Sequence, residues 1–211
     1  MSRHDRHRPD NRRAAVANEA ARLIQEQGLT DFRAAKDKAV ERLGLRSVGP
    51  LPSNGEIERA LAERNRIFRG DSHHHHVREL REAALRVMHS LRIFHARLVG
   101  AVLSGNATQH STIDLHVFSD SPEAVGSALD ALGIQHRATQ FRHQFRLRQG
   151  ETFPGFRFID DDFEYAATVF TEKQRRRSPL SPVDGRPMQR GSIRDVEALV
   201  SQTSLFDPAA G

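Results

Sequence analysis

The stretch Val99-Gly-Ala-Val-Leu-Ser-Gly-Asn-Ala-Thr-Gln-His-Ser-Thr-Ile-Asp-Leu-His-Val-Phe118 decides how the rest of the chain is read. An apolar run from Arg97 to Leu103 reads as a strand and Gly105-Asn106 as a turn. Ile113 to Phe118 then alternates with a period of two and reads as a returning strand. That period sets Thr112, Asp114 and His116 on one face, with Ile113, Leu115 and Val117 on the other. Glycines at 100 and 105 let backbone amides approach an anion closely, and Ser104 and Ser111 add hydroxyl donors. A phosphate cradle beside an acidic strand is the arrangement that holds a metal-bound triphosphate.

Before this stretch the pattern is helical. Residues 1–12 are polar, basic and aperiodic, and read as a disordered tail. Residues 13–94 read as a helical N-terminal region. Its first helix carries Ala17, Ala20, Ala21, Leu23 and Ile24 and ends near Gly28; its second is capped by Thr30 or Asp31 and ends at Gly44. A third helix runs from about Asn54 to Gly70, and a fourth from Asp71/Ser72 to about Phe94. After the decisive stretch, Ser121-Pro122-Glu123 opens a helix that ends near Leu132, with Gly133 following. Three β segments are expected at 137–148, 156–160 and 163–170, completing an α/β core over 95–172. The remainder, 173–211, reads as a Pro-rich extension with one short helix at about 193–200. The fold class is therefore α+β: a helical segment, then a mixed sheet with flanking helices.

The chain has 211 residues, of which 37% are hydrophobic and 28% charged, enough for a core and too apolar for disorder throughout. It contains no cysteine, which excludes disulfides and thiolate chemistry. No run of 18 apolar residues is present and the N-terminus lacks the apolar centre of a secretory signal, so the expected location is the cytoplasm, with no membrane partner. The formal net charge is +5, and all the basic residues are Arg except Lys36, Lys38 and Lys173. Arginine pairs well with phosphates, yet a charge this small over the whole chain fits a solvated surface equally well.

The spacing of Gly100, Gly105, Ser111, position 112 and Asp114 resembles the polymerase-beta-like nucleotidyltransferase superfamily, whose motif is Gly-Ser, a further glycine, then Ser-Asp-x-Asp on the returning strand. More narrowly, the chain looks like a group of roughly 200-residue, mostly proteobacterial nucleotidyltransferase-like proteins. It shares their Ala35-Lys-x-Lys-Ala39 segment and their Leu-Pro-x-Asn-x-Glu-Ile turn at Leu51 to Ile57. The muramate–alanine ligase description given to some of that group finds no support, since there is no Gly-x-x-x-x-Gly-Lys-Ser/Thr loop. The resemblance implies a nucleotidyltransferase-type mixed sheet. It also implies transfer of a nucleoside monophosphate from an NTP to an acceptor hydroxyl with Mg²⁺ or Mn²⁺; the acceptor stays open between an RNA, a protein, an antibiotic and a small metabolite. Gly100, Ser104, Gly105 and Ser111 would then bind the nucleotide. Asp114 would be catalytic and a metal ligand, joined by His116 and by a third carboxylate, for which Glu164 or one of Asp160, Asp161 and Asp162 is the candidate. Two positions depart from the motif: Ala101 replaces a phosphate-binding serine, and Thr112 replaces the first metal-binding acid. The alternative is a catalytically degenerate module on the same fold that binds nucleotide, RNA or a protein partner.

Weaker signals read mostly as surface. His73 to His76 fit a solvated helical turn. Arg142, Arg146 and Arg148 share parity on one β segment and, with Arg175 to Arg177, are the best nucleic-acid signal, though stacking aromatics are sparse. DNA is not an expected partner: a helix-turn-helix would need a recognition helix soon after Leu45, where Gly-Pro-Leu-Pro stands instead.

Overall fold

The computed structural model describes residues 7–45, 49–68, 70–147 and 149–204. The described chain divides into two compact units. One is 7–73 with 108–110 and 182–184; the other is 74–107, 111–181 and 185–204.

The first unit is built on three helices, α1 (His7–Gln27), α2 (Phe32–Arg42) and α3 (Asn54–Phe68). Val16, Ala20 and Leu23 of α1 are completely buried with Ala35 and Ala39 of α2 and Ile57 of α3. Asp31 caps α2 by accepting from the Arg33 amide at 2.9 Å. Ser53 and Glu56 cap α3 reciprocally: the Ser53 amide donates to the Glu56 carboxylate (2.8 Å) and the Glu56 amide to the Ser53 hydroxyl (3.2 Å). Arg13 reaches across from α1 and donates twice to Glu56, at 2.8 and 2.6 Å. Arg13 first, and Ser53 second, hold that carboxyl down at about 2. The helix α1 begins at His7, ahead of the expected start at Arg13; residues 1–6 of the expected tail lie outside the described residues.

The second unit contains α4 (Gly70–Ser90) from residue 74 onward, a 3-10 turn (Arg92–Phe94), β1 (Arg97–Val99), α5 (Gly100–Ser104), β2 (Ile113–Phe118), α6 (Pro122–Ala131), β3 (His136–Arg146), β4 (Gln149–Asp160), β5 (Phe163–Phe170), a second 3-10 turn (Glu172–Arg176) and α7 (Ile193–Ser204). The strands form one sheet in the order β1-β2-β5-β4-β3. Only β2 and β5 are parallel, so the sheet is mixed and the α+β class stands as expected. One face packs Leu98, Ile113, Leu115, Val117, Phe156, Phe158, Tyr165, Ala167 and Val169 against Leu80, Ala84, Met88, Leu91, Val125 and Leu129 of the helices. No helix among the described residues is long and apolar enough to cross a membrane.

Two elements differ from the sequence expectation. The strand expected over Arg97 to Leu103 stops at Val99, because Gly100 takes φ +72° and turns the chain into α5. The strand expected over 156–160 begins at Gln149. β4 pairs with β3 from Gln149 to Phe158, whereas β5 pairs with β4 only from Gly155 onward. Pro154 therefore lies where β4 has β3 alone beside it, a position that tolerates the missing N–H.

Candidate functional site on the second face of the sheet

The second face of the sheet combines buried residues (Val99, His116, Ala166, Thr168) with exposed Arg137 and Arg157, and its residues follow from strand register. Asp114 of β2 is level with Val99 on β1 and with Ala166 on β5. Ala166 is level with Arg157 on β4, and Arg157 with Arg137 on β3. A single row across the face therefore reads Val99, Asp114, Ala166, Arg157, Arg137. The next row reads Arg97, His116, Thr168, Gly155, Thr139. Beyond that, Phe118, Phe145, Phe153 and Phe170 form a small buried aromatic cluster.

That aromatic end is closed by Arg190. Its Nε donates to Nδ1 of His116 at 3.0 Å, and its Nη1 donates to the carbonyls of Gln174, Arg175 and Arg177 at 3.2, 3.3 and 3.1 Å. Its guanidinium carbon lies 4.9 and 5.3 Å from the Phe118 and Phe170 ring centres. Burial and the nearby Arg97 lower its pKa to about 10, so it stays charged at neutral pH. His116 is buried, packed edge-on against Phe170 and His143, and held neutral by desolvation first and Arg190 second. Desolvation and Arg190 also bring His143 down to about 4.

The polar end keeps the glycine–aspartate junction. A Cβ on Gly100 would lie 3.0 Å from Oδ2 of Asp114, so the carboxylate rests directly against the backbone at the start of α5. Asp114 retains some solvent access, yet protein surrounds most of its carboxyl, and desolvation pushes the group up to about 6, with Arg157 opposing. Arg137 and Arg157 are both exposed, stand directly opposite one another, and make no ion pair among the described residues. Like charges opposed across strands repel, so this pair is not there for stability. Arg157 also lies over the Phe141 ring at 5.4 Å.

The residues expected to form one site are only partly brought together. Gly100 touches Asp114. Ser104 and Gly105 sit at the far end of α5, about 7 Å along its axis. There the Ser104 hydroxyl donates to the Ala101 carbonyl, and Arg81 of α4 donates to the carbonyls of Val102 and Leu103 at 3.1 and 3.0 Å. That end presents carbonyls, which suit a guanidinium and not a phosphate. Ser111 lies just ahead of β2 and is half-buried. His116 shares the face of Asp114, but its Nδ1 lone pair already accepts from Arg190, so it is not free to take a metal there. Glu164 shares the face as well, though it is level with Ile159 and two residues from Ala166, about 7 Å along β5. Asp161 and Asp162 adopt left-handed φ values in the turn between β4 and β5, and Asp161 pairs with Arg86 at 3.2 Å. The exposed Arg142 and Arg146 flank Gln144 at a bulge on β3; Arg148 lies outside the described residues.

A divalent ion fits this donor set poorly. Mg²⁺ needs several hard anionic oxygens, and the face offers Asp114 with Thr112 on one side and Ala166 opposite. Among the described residues no three His, Asp or Glu side chains converge on a point that a metal could occupy. Sequence reasoning missed Arg157 and Arg137, because nothing distinguishes them among the many arginines until the register is known.

The Asp114 carboxyl has a measurable consequence. Its ordinary value is 3.8 and its folded value about 6, so between those pH values the folded state holds a proton that the unfolded chain releases. Stability therefore falls as pH rises through this window and is level above it. A shift of this size corresponds to about 3 kcal/mol. Partial solvent access and the partners an Asn amide needs reduce the gain expected from Asp114→Asn to about 1–2 kcal/mol at pH 7. Denaturant unfolding of both proteins at pH 4 and pH 7 checks this; the difference should vanish near pH 4.

No protein-family model matches this chain, and no curated protein matches it. Among solved structures, a cytoplasmic RNA terminal U-transferase aligns over 62% of this chain and 34% of its own, with 20% identity and a TM-score of 0.33. Cid1 in complex with the UTP analogue UMPNPP aligns over 61% of this chain and 36% of its own, with 18% identity and a TM-score of 0.33. The chain spans about a third of the length of these structures.

Proposed function

We propose that this chain is a nucleotide-binding module on a nucleotidyltransferase-type fold, in which arginines carry the phosphate charge that divalent ions carry in an active transferase. The supporting observation is the row of Asp114, Ala166, Arg157 and Arg137, one carboxylate and two guanidiniums facing the same way. Guanidiniums present paired N–H donors that match phosphate oxygens. Asp114 is an acceptor suited to a sugar hydroxyl or an exocyclic amine. A carboxylate kept against a desolvation cost is a mark of a binding or catalytic site.

A second reading, transfer of a nucleoside monophosphate to an acceptor hydroxyl with release of pyrophosphate, is favoured by the close Gly100–Asp114 junction alone. Pyrophosphate release separates the two. The full chain is incubated with each of the four NTPs and Mg²⁺ or Mn²⁺, with RNA or without. No release above the protein-free rate is expected. Metal-dependent release that Asp114→Ala abolishes would overturn the proposal in favour of the transferase.

A further inference from the structure

The 3-10 turn Arg92–Phe94 ends at His95, whose φ of 49° swings the chain into β1. Beside β1, Leu98 and Gly191 exchange backbone hydrogen bonds of 3.0 and 2.8 Å, which brings the first turn of α7 against the start of the strand. A cavity of about 250 Å³ lies between them, lined chiefly by Arg92, His95, Arg97, Ser192 and Arg194.

Three arginines, Arg92, Arg97 and Arg194, line the cavity, and none of them forms an ion pair among the described residues. Arg92 and Arg97 make only long contacts to the His89 and Ala96 carbonyls, at 3.4 and 3.5 Å. The nearby carboxylate, Asp195, is spent on the helix cap: its Oδ2 accepts from the Ser192 amide at 2.8 Å and from the Ser192 hydroxyl at 2.6 Å. Those two bonds, with a smaller contribution from Arg97, keep the Asp195 carboxyl ionised. One carboxylate against three guanidiniums leaves an excess of positive charge in a concave place. The amides of Ile193 and Arg194, in the first turn of a twelve-residue helix, have no intrahelical acceptor and add the positive end of its dipole.

We propose that this cavity is a phosphate-binding site separate from the Asp114 row, gripping the anion with Arg97 and Arg194. It is smaller than the roughly 300 Å³ at which clefts begin to hold a whole drug-sized ligand, so it takes one phosphate and part of the group bearing it. Two sources share that chemistry, a small phosphate compound and the backbone of a single-stranded RNA.

The test is titration calorimetry of the full chain with inorganic phosphate, pyrophosphate and an unstructured ten-nucleotide RNA. The proteins compared are wild type, Arg97→Gln, Arg194→Gln, Arg157→Gln and Arg59→Gln, the last an exposed arginine on α3. Arg194 is also exposed, so its loss leaves folding intact. Arg97→Gln and Arg194→Gln should each raise the Kd about tenfold or more, while Arg59→Gln leaves it unchanged. If RNA is the source, the slope of log Kd against log salt falls by about 0.7 per arginine removed. If a small compound is the source, pyrophosphate binds and RNA does not. Equal affinity in Arg194→Gln and Arg59→Gln, or no binding by any probe, would overturn the site. Weakening by Arg157→Gln but not by Arg194→Gln would also overturn it, and would leave the reading of the Asp114 row standing.

Discussion

Arg190→Met is expected to destabilise the fold by about 3–4 kcal/mol. The side chain holds three backbone carbonyls and the buried Nδ1 of His116, and it covers two aromatic rings. Hydrogen bonds to a charged group contribute about 1.5–3 kcal/mol, and an orphaned buried acceptor costs about 1–3 kcal/mol more. Each cation–π contact adds about 0.5–1 kcal/mol. Against these stands relief of the desolvated guanidinium, whose Nη2 is buried without an acceptor. Arg190→Lys should recover little, since one ammonium cannot serve His116 and the carbonyls in the same plane. Denaturant unfolding measures the loss. A cost below about 1 kcal/mol would mean that the segment from 172 to 190 is held on the sheet by something else.

Gly155→Ala is expected to cost about 3 kcal/mol or more, by a different route. A Cβ there would overlap the Ala167 carbonyl oxygen on β5 and lie 2.6 Å from the Phe141 ring. The carbonyl cannot retreat without disturbing the β4–β5 ladder, and overpacking of this kind is seldom absorbed. Phe141 carries Arg157 above it, so the same change should weaken ligand binding on the face. Gly150→Ala is the internal control. The atom in its way is the flexible Arg142 guanidinium, which can swing aside, so the loss should stay below about 1 kcal/mol. Equal costs at the two glycines would contradict the packing described here.

Much of this arrangement was legible in the sequence, and the reason is local. Glycine spacing and a two-residue period are properties of neighbours in the chain. They placed Gly100 near Asp114 and set Asp114, His116 and the core residues on opposite faces. Pro122 and Gly133 bounded α6 for the same reason. What could not be read is what depends on pairing at a distance. Periodicity says which face Arg157 is on once β4 is known, but not that Ala166 and Asp114 lie in its row. No local pattern announces that Arg190 caps His116 from 74 residues away. Nor does one show that Arg81 donates to the Val102 and Leu103 carbonyls at the end of α5 that carries Ser104. The long N-terminal half of β4 was hidden because Pro154 and Gly155 signal a turn unless the pairing partner on each side is known.

The most direct measurement is thermal unfolding of the full chain with ATP, CTP, GTP or UTP, in EDTA and again with Mg²⁺ or Mn²⁺, for wild type and Arg157→Gln. A ligand at about 100 times its Kd stabilises the folded state by about 2.7 kcal/mol, a shift readily seen. A rise with at least one nucleotide is expected, already present in EDTA and lost in Arg157→Gln. A rise that appears only with the divalent ion and survives Arg157→Gln would contradict it.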